Sequence, residues 1–249
     1  MSTTKKTYSW IIGASSGIGE ALAKELAARG ETVCVSARNA EALSALVATL
    51  GGSGHLALPL DVSNREAVNQ AAQQVRAAFP RIDRVIFMAG LYTPMAFGTM
   101  DLSEAERIIT VNLTSSLYVI ESVLPILLAQ GGGQIALCAS VAGYRGLPKS
   151  QPYGATKAGL INLAESLATE VPKSIDVRVI NPGFVASRLT DKNDFTMPMR
   201  ITAEKAATAI ADGLNRRGFE IHFPKTFTRI MKLLSWLPAP LYFALMRRI

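Results

Sequence analysis

Ser9-Trp10-Ile11-Ile12-Gly13-Ala14-Ser15-Ser16-Gly17-Ile18-Gly19 decides the fold of this 249-residue chain. The run from Ser9 to Gly13 reads as a strand and passes directly into a glycine turn of spacing G-x-x-x-G-x-G, then into helical periodicity from Gly17 to Arg29. A strand before and a helix after raise such a turn above a chance cluster. Glycines let the backbone turn tightly and approach a ligand closely, while a helix N-terminus presents free N–H groups at its positive end. Gly13, Ser15, Ser16, Gly17, Ile18 and Gly19 therefore form an expected cradle for a pyrophosphate.

Outward from this unit the same alternation repeats. Strands are expected at Thr32 to Ser36, Leu56 to Pro59, Arg84 to Met88, Gln134 to Ala139, Asp176 to Asn181 and Glu220 to Phe223. Helices are expected at Ala40 to Leu50, Arg65 to Phe79, Ser103 to Ala129, Pro152 to Glu170 and Ala203 to Arg216. Ser63 or Asn64 caps the third helix, and Ser103 with Glu106 forms a capping box on the fourth. No linker or repeat divides the chain. The pattern predicts one α/β domain, a Rossmann-type doubly wound parallel sheet of about seven strands with helices on both faces.

Composition bounds the rest. With 49% hydrophobic and 18% charged residues the chain can bury a sizeable core, which argues against disorder. Cys34 and Cys138 fall in strands roughly 14 Å apart, too far for a disulfide, and read as small buried residues. The first ten residues hold no apolar signal stretch, so a cytoplasmic address is expected. Net charge is +7, yet the basic residues form no stripe interleaved with aromatics, and no nucleic-acid partner is expected. Five of those charges come from Lys225, Arg229, Lys232, Arg247 and Arg248 in a tail without Asp or Glu from residue 221 onward.

Tyr153 and Lys157 lie four residues apart in Tyr-Gly-Ala-Thr-Lys, with Ser140 thirteen residues upstream. On a helix, i and i+4 share a face, so the ammonium sits beneath the phenol ring. A phenol ordinarily titrates near 10, and a neighbouring positive charge lowers it enough for ready proton exchange with an alcohol oxygen. Ser140 ends the fifth strand, at the carboxyl edge where open α/β sheets bind ligands.

These residues resemble the short-chain dehydrogenase/reductase family over about residues 8 to 223. Ile12 stands where that family usually has threonine. Asp61-Val62 matches its adenine-contacting pair, and Ala89-Gly90 matches the end of its Asn-Asn-Ala-Gly motif. Phe87 and Met88 replace the two asparagines, so packing is expected to hold that turn in place of side-chain hydrogen bonds. Asn112, in Thr-Val-Asn-Leu, falls at the family's fourth catalytic position. Pro182 and Gly183 match its Pro-Gly turn, Val185 the residue whose backbone reaches the nicotinamide amide, and Ser187 stands where threonine is common. The resemblance implies that Ser140 orients a carbonyl oxygen, Tyr153 delivers its proton, Lys157 binds the nicotinamide ribose and Asn112 holds a water that reprotonates the lysine.

Cofactor choice is set after the second strand, in Ser36-Ala37-Arg38-Asn39. An acidic side chain there binds the ribose hydroxyls of NAD, whereas an arginine grips a 2′-phosphate. Arg38 therefore predicts NADP(H) over NAD(H). Residues 188 to 202, with Phe195, Met197, Pro198 and Met199, read as a flexible lid over an apolar substrate, or as a surface loop. His55 and His222 lack partners at metal-ligand spacing, and no metal is expected.

Residues 224 to 249 extend beyond the domain of residues 1 to 223. Phe227, Ile230, Met231, Leu234 and Leu237 form an apolar helical stripe, Pro238 and Pro240 break it, and Tyr242, Leu245, Met246 and Ile249 form a second. Neither is long enough to span a bilayer. Three readings stay open: packing on the domain or another subunit, peripheral contact with an anionic membrane, or a lid for a hydrophobic substrate. The whole reads as an NADP(H)-dependent oxidoreductase interconverting an alcohol and a carbonyl compound, as a homodimer or homotetramer. The alternative is a catalytically silent NADP(H)-binding scaffold or sensor.

Overall fold

A computed structural model describes residues 6–187, 190 and 197–248. Its seven strands are β1 (Tyr8–Ile12), β2 (Thr32–Ala37), β3 (Leu56–Pro59), β4 (Arg84–Phe87), β5 (Gly133–Cys138), β6 (Ile175–Pro182) and β7 (Glu220–Phe223), each within one residue of its expected bounds. They form a single parallel sheet in the order β3-β2-β1-β4-β5-β6-β7.

The central strands carry apolar side chains on both faces because both are covered. Trp10, Ile12, Val85, Phe87, Ile135 and Leu137 point to one side. Ile11, Val33, Val35, Ile86, Ala136 and Ile180 point to the other. The helices are α1 (Gly17–Ala28), α2 (Ala40–Thr49), α3 (Arg65–Ala78), α4 (Leu102–Ile109), α5 (Ser115–Ala129), α6 (Tyr153–Glu170) and α7 (Ala203–Leu214). The first face carries α3, α5 and α6, and the second carries α1, α2 and α7. Cys34 and Cys138 are free and buried on opposite faces, separated by β1 and β4.

The helix expected from Ser103 to Ala129 is three pieces. A π turn, Thr110–Thr114, joins α4 to α5, and periodicity alone does not reveal one inserted residue. Its cap also differs. Asp101, not a Ser103–Glu106 box, accepts from the Ser103 and Glu104 amides, because it precedes the first turn. Asn64 caps α3 by accepting from Ala67. The run Leu102–Ala129 is long and apolar enough to cross a membrane by composition alone. However, 44% of its most apolar window is buried in protein, and its polar Asn112, Ser115 and Ser116 point inward, as in a domain helix.

The strand order reverses between β1 and β4. Connections leave these two strands in opposite directions, opening a crevice at their carboxyl ends. The glycine turn and the turn after β4 touch each other and both line it.

Candidate active site

At Gly13, φ is +98°, and a Cβ there would stand 2.5 Å from the Ala89 amide nitrogen. A Cβ on Gly19 would lie 2.2 Å from the Gly13 carbonyl oxygen. Side chains at either position are excluded by backbone, so these glycines set how closely the β1 turn meets the β4 turn and α1. Gly13 donates to the Ser36 carbonyl at 2.7 Å, which pins the turn to the end of β2. Ser16 begins α1 without a side-chain cap, leaving first-turn N–H groups directed at the crevice. Ile12, in place of the family's threonine, is wholly buried.

Ser140 follows β5 and accepts the Ala142 amide at 3.1 Å, starting a 3-10 turn, Val141–Gly143. Gly143 is needed there, since a Cβ would come within 2.6 Å of the Lys157 carbonyl carbon. That close packing lays the turn on α6 and brings Ser140 close to the Tyr153 hydroxyl. Lys157, one helical turn on, places Nζ 5.4 Å from the Tyr153 ring centroid and donates to the Cys138 carbonyl at 2.7 Å. The ring of Tyr92 meets Tyr153 edge-on at 4.9 Å.

The electrostatics correct one expectation. Burial, then the Cys138 thiol, pushes the Tyr153 phenol above its ordinary value, with the Ser140 hydrogen bond opposing. Burial likewise lowers the Lys157 ammonium. Desolvation outweighs the lowering of the phenol expected from Lys157, so Tyr153 holds its proton at neutral pH.

Asn112 stands behind the crevice, fully buried in the π turn. Its Oδ1 accepts the Leu91 amide at 2.7 Å, and its Nδ2 donates to the Leu91 carbonyl at 2.9 Å and to Thr156 Oγ1 at 3.2 Å. The turn after β4 was expected to be held by packing. Phe87 is indeed packed in the core, but the Asn112 amide clamps the chain four residues later, from a helix distant in sequence.

The crevice is a cleft of about 320 Å³, within the usual range for small-molecule sites. Gly13, Ser15, Ser16, Gly17, Ile18 and Gly19 line it, as do Arg38, Asp61 and Val62 at one end and Ala89 and Gly90 along the middle. Ser140, Tyr153, Lys157, Pro182, Gly183, Val185 and Ser187 line the other end. Asn112 alone of the expected site residues does not reach it. Sequence reading missed Leu60, Leu91, Cys138 and Thr190; the first three carried no signal beyond apolarity. Hydrogen bonds from Ser63 hold the Asp61 carboxyl below its usual value, and the nearby Arg38 adds to this.

The family model for short chain dehydrogenase matches residues 8–197, well over half the chain. This chain belongs to the short-chain dehydrogenase family. An uncharacterized oxidoreductase of Myxococcus xanthus is 32% identical over 243 residues, covering 96% of each chain. A short-chain dehydrogenase/reductase of Burkholderia phymatum, solved with NAD, superposes with a TM-score of 0.85 at 22% identity over 94% of each chain. An alcohol dehydrogenase of Thermococcus sibiricus, solved with 5-hydroxy-NADP, gives 0.79 at 25% identity over 88% of this chain and 96% of its own. This short-chain dehydrogenase is thus an oxidoreductase of its family, and those two neighbours hold dinucleotides of both kinds.

The tail of this short-chain dehydrogenase forms α8 (Lys225–Ser235) and α9 (Ala239–Met246). Phe227 packs so closely on the Pro-Gly turn that a Cβ on Gly183 would lie 2.7 Å from its ring, and it meets Phe184 at 5.2 Å. Glu220 accepts from Asn181 Nδ2 at 2.7 Å, from the Tyr144 hydroxyl and from Lys232 on α8. The expected stripe is therefore split. Phe227 is buried with Met231 and Leu234 half-buried, while Ile230 is exposed, because the domain covers only the Phe227 side. Ile249 lies outside the described residues, as do 188–189 and 191–196, with Phe195, of the segment expected to be a lid; Met199 is exposed.

His55 accepts the Val33 amide and pairs with the Gly51 carbonyl, and His222 pairs with Thr228. Both rings serve local structure. Among the described residues no three His, Cys, Asp or Glu side chains form a metal-sized group.

Proposed function

We propose that this short-chain dehydrogenase interconverts an alcohol and a carbonyl compound using NADP(H), with Tyr153 as general acid/base. The observation that carries this reading is Ser140, Tyr153 and Lys157 meeting at one end of a cleft whose other end is the glycine turn. The missing Cβ atoms of Gly13 and Gly19 and the bare start of α1 fit a pyrophosphate. When bound, the dinucleotide supplies or takes up the hydride. As negative charge grows on the carbonyl oxygen, Tyr153 delivers its proton and Ser140 donates a hydrogen bond to the same oxygen. Lys157 stands one turn below the phenol, with Nζ 5.4 Å from its ring centroid, where its ammonium form would favour the phenolate. Asn112 acts through Leu91 and Thr156 as a positioning residue. Leu91 on the cleft wall and Tyr92 against Tyr153 favour an apolar substrate. A screen of alcohols and carbonyl compounds followed by NADPH absorbance tests the reaction class.

NADP(H) preference rests on Arg38, exposed at the adenosine end beside a neutral Ala37. Arg38→Asp removes the phosphate partner and adds a repelling charge. NADPH binding is expected to weaken at least about tenfold relative to NADH, as read by fluorescence titration with both cofactors. An unchanged ratio would assign the preference elsewhere.

Residues 1–223 are proposed as the catalytic unit and 224–249 as an extension built onto it. Two buried thiols without a disulfide fit a reducing, cytoplasmic setting. Leu102 and Ile109 on α4, and Leu117 and Leu128 on α5, are exposed at helical spacings. That surface supports a homodimer or homotetramer. Leu117→Glu is expected to shift the sedimentation coefficient toward a smaller species; an unshifted value would exclude this face.

A further inference from the structure

We propose that the outer face of α8 and α9 docks on an anionic lipid surface. This stands apart from the reaction, since it rests on the tail alone. The two helices are a preformed platform. Their inner side is fixed by Phe227 against Gly183, by Lys232 on Glu220, and by Thr228 bonded to His222 at 2.6 Å. Arg145 stacks 3.9 Å above the Tyr242 ring and donates to the carbonyls of Ser235 and Leu237, tying the end of α8 to α9. Tyr242 in turn donates to the Gly146 carbonyl at 2.7 Å.

The side facing away is apolar and cationic together. Trp236 is 81% exposed, Leu233 64% and Leu241 59%, with Ile230 and Phe243 also outward. Arg229, Leu233 and Trp236 follow i, i+4, i+7, one row along the outer side of α8. Lys225, Arg229, Arg247 and Arg248 are exposed and form no ion pair among the described residues, and no Asp or Glu occurs from residue 221 onward.

That charge decides the occupant. A second copy meeting this face through a two-fold axis would set the same cations against each other without a carboxylate to separate them. An anionic bilayer matches both components: the indole and leucines enter the headgroup–acyl boundary, and each nearby cation contributes roughly fivefold in affinity. Since Phe227 of the same helix touches Gly183, docking holds the cleft about one helix diameter, ~10 Å, from lipid.

The chain carries its own probe. It has two tryptophans; Trp10 is wholly buried, so a change in emission on adding vesicles reports Trp236. With phosphatidylglycerol–phosphatidylcholine vesicles at low salt, the full chain is expected to co-sediment and its emission to shift to the blue. Pure phosphatidylcholine and high salt should each weaken binding at least about tenfold. Leu233→Ser with Trp236→Ser should abolish co-sedimentation while leaving melting temperature and NADPH binding unchanged. Arg229→Glu with Arg247→Glu should weaken it and retain the indole probe. Absence of both co-sedimentation and a blue shift with anionic vesicles would overturn the proposal. So would binding indifferent to the charge variants, or a self-associated species that the Leu233/Trp236 variant dissolves.

Discussion

Tyr153→Phe is expected to lower turnover by roughly 10²–10⁴-fold, the range for loss of a positioned proton donor, while NADPH binding is retained. The ring remains, so its edge-on contact with Tyr92 at 4.9 Å and its place 5.4 Å from the Lys157 ammonium survive. Only the hydroxyl beside Ser140 is lost. Stopped-flow absorbance at the NADPH band, paired with a fluorescence titration of the cofactor, separates the two quantities. Turnover undiminished by the change would remove Tyr153 from the reaction. If wild type shows no turnover and the biological activity survives the substitution, the silent scaffold is the correct reading. The pH dependence carries a sign as well. A phenol pushed up by burial stays protonated through the neutral range, so carbonyl reduction should change little between about pH 6 and 8, while alcohol oxidation, which needs the base form, should climb.

Gly13→Ala is expected to cost roughly 2–5 kcal/mol of stability and most of the affinity for NADPH. The new Cβ would lie 2.5 Å from the Ala89 nitrogen and 2.7 Å from both Ala89 Cα and the Met88 carbonyl carbon. All three are backbone atoms, so no rotamer change relieves the contact, and φ of +98° adds conformational strain. Two controls divide the cost. Gly51→Ala meets nothing within 4 Å, and Gly30→Ala meets open space but at φ +87°, so it reports strain without the clash. Urea melts of the three variants should rank Gly13 well below Gly30, and Gly30 below Gly51. Equal losses at Gly13 and Gly51 would mean that the β1 and β4 turns can separate freely.

How much of this was legible in the chain depends on range. Ile11 and Ile12 point to opposite faces and both are apolar, so a strand buried on two sides could be read from five residues. The Tyr153–Lys157 geometry also follows locally, because i and i+4 on a helix have one relative position. The capping error at Asp101 was local too, a choice between two adjacent polar residues that only the start of α4 settles. The phenol's proton affinity was misjudged for another reason. Charge is visible in a sequence, but the burial that outweighs it here is supplied by elements far along the chain.

The sequence by itself therefore determined the parallel doubly wound sheet and the shared face of Tyr153 and Lys157, since both follow from periodicity or short spacing. The glycine cradle and the grouping of Ser140 with that pair are expectations that rest on context and on the family resemblance. Tertiary structure alone decided what supports them. Asn112 reaches Leu91 across 21 positions and Thr156 across 44, and Phe227 closes on Gly183 from a helix beyond the last strand. It also decided which side of α8 faces the domain. An amphipathic stripe states that one face is apolar, whereas the surface it meets is set by where β7 ends and by what Glu220 and Arg145 hold in place.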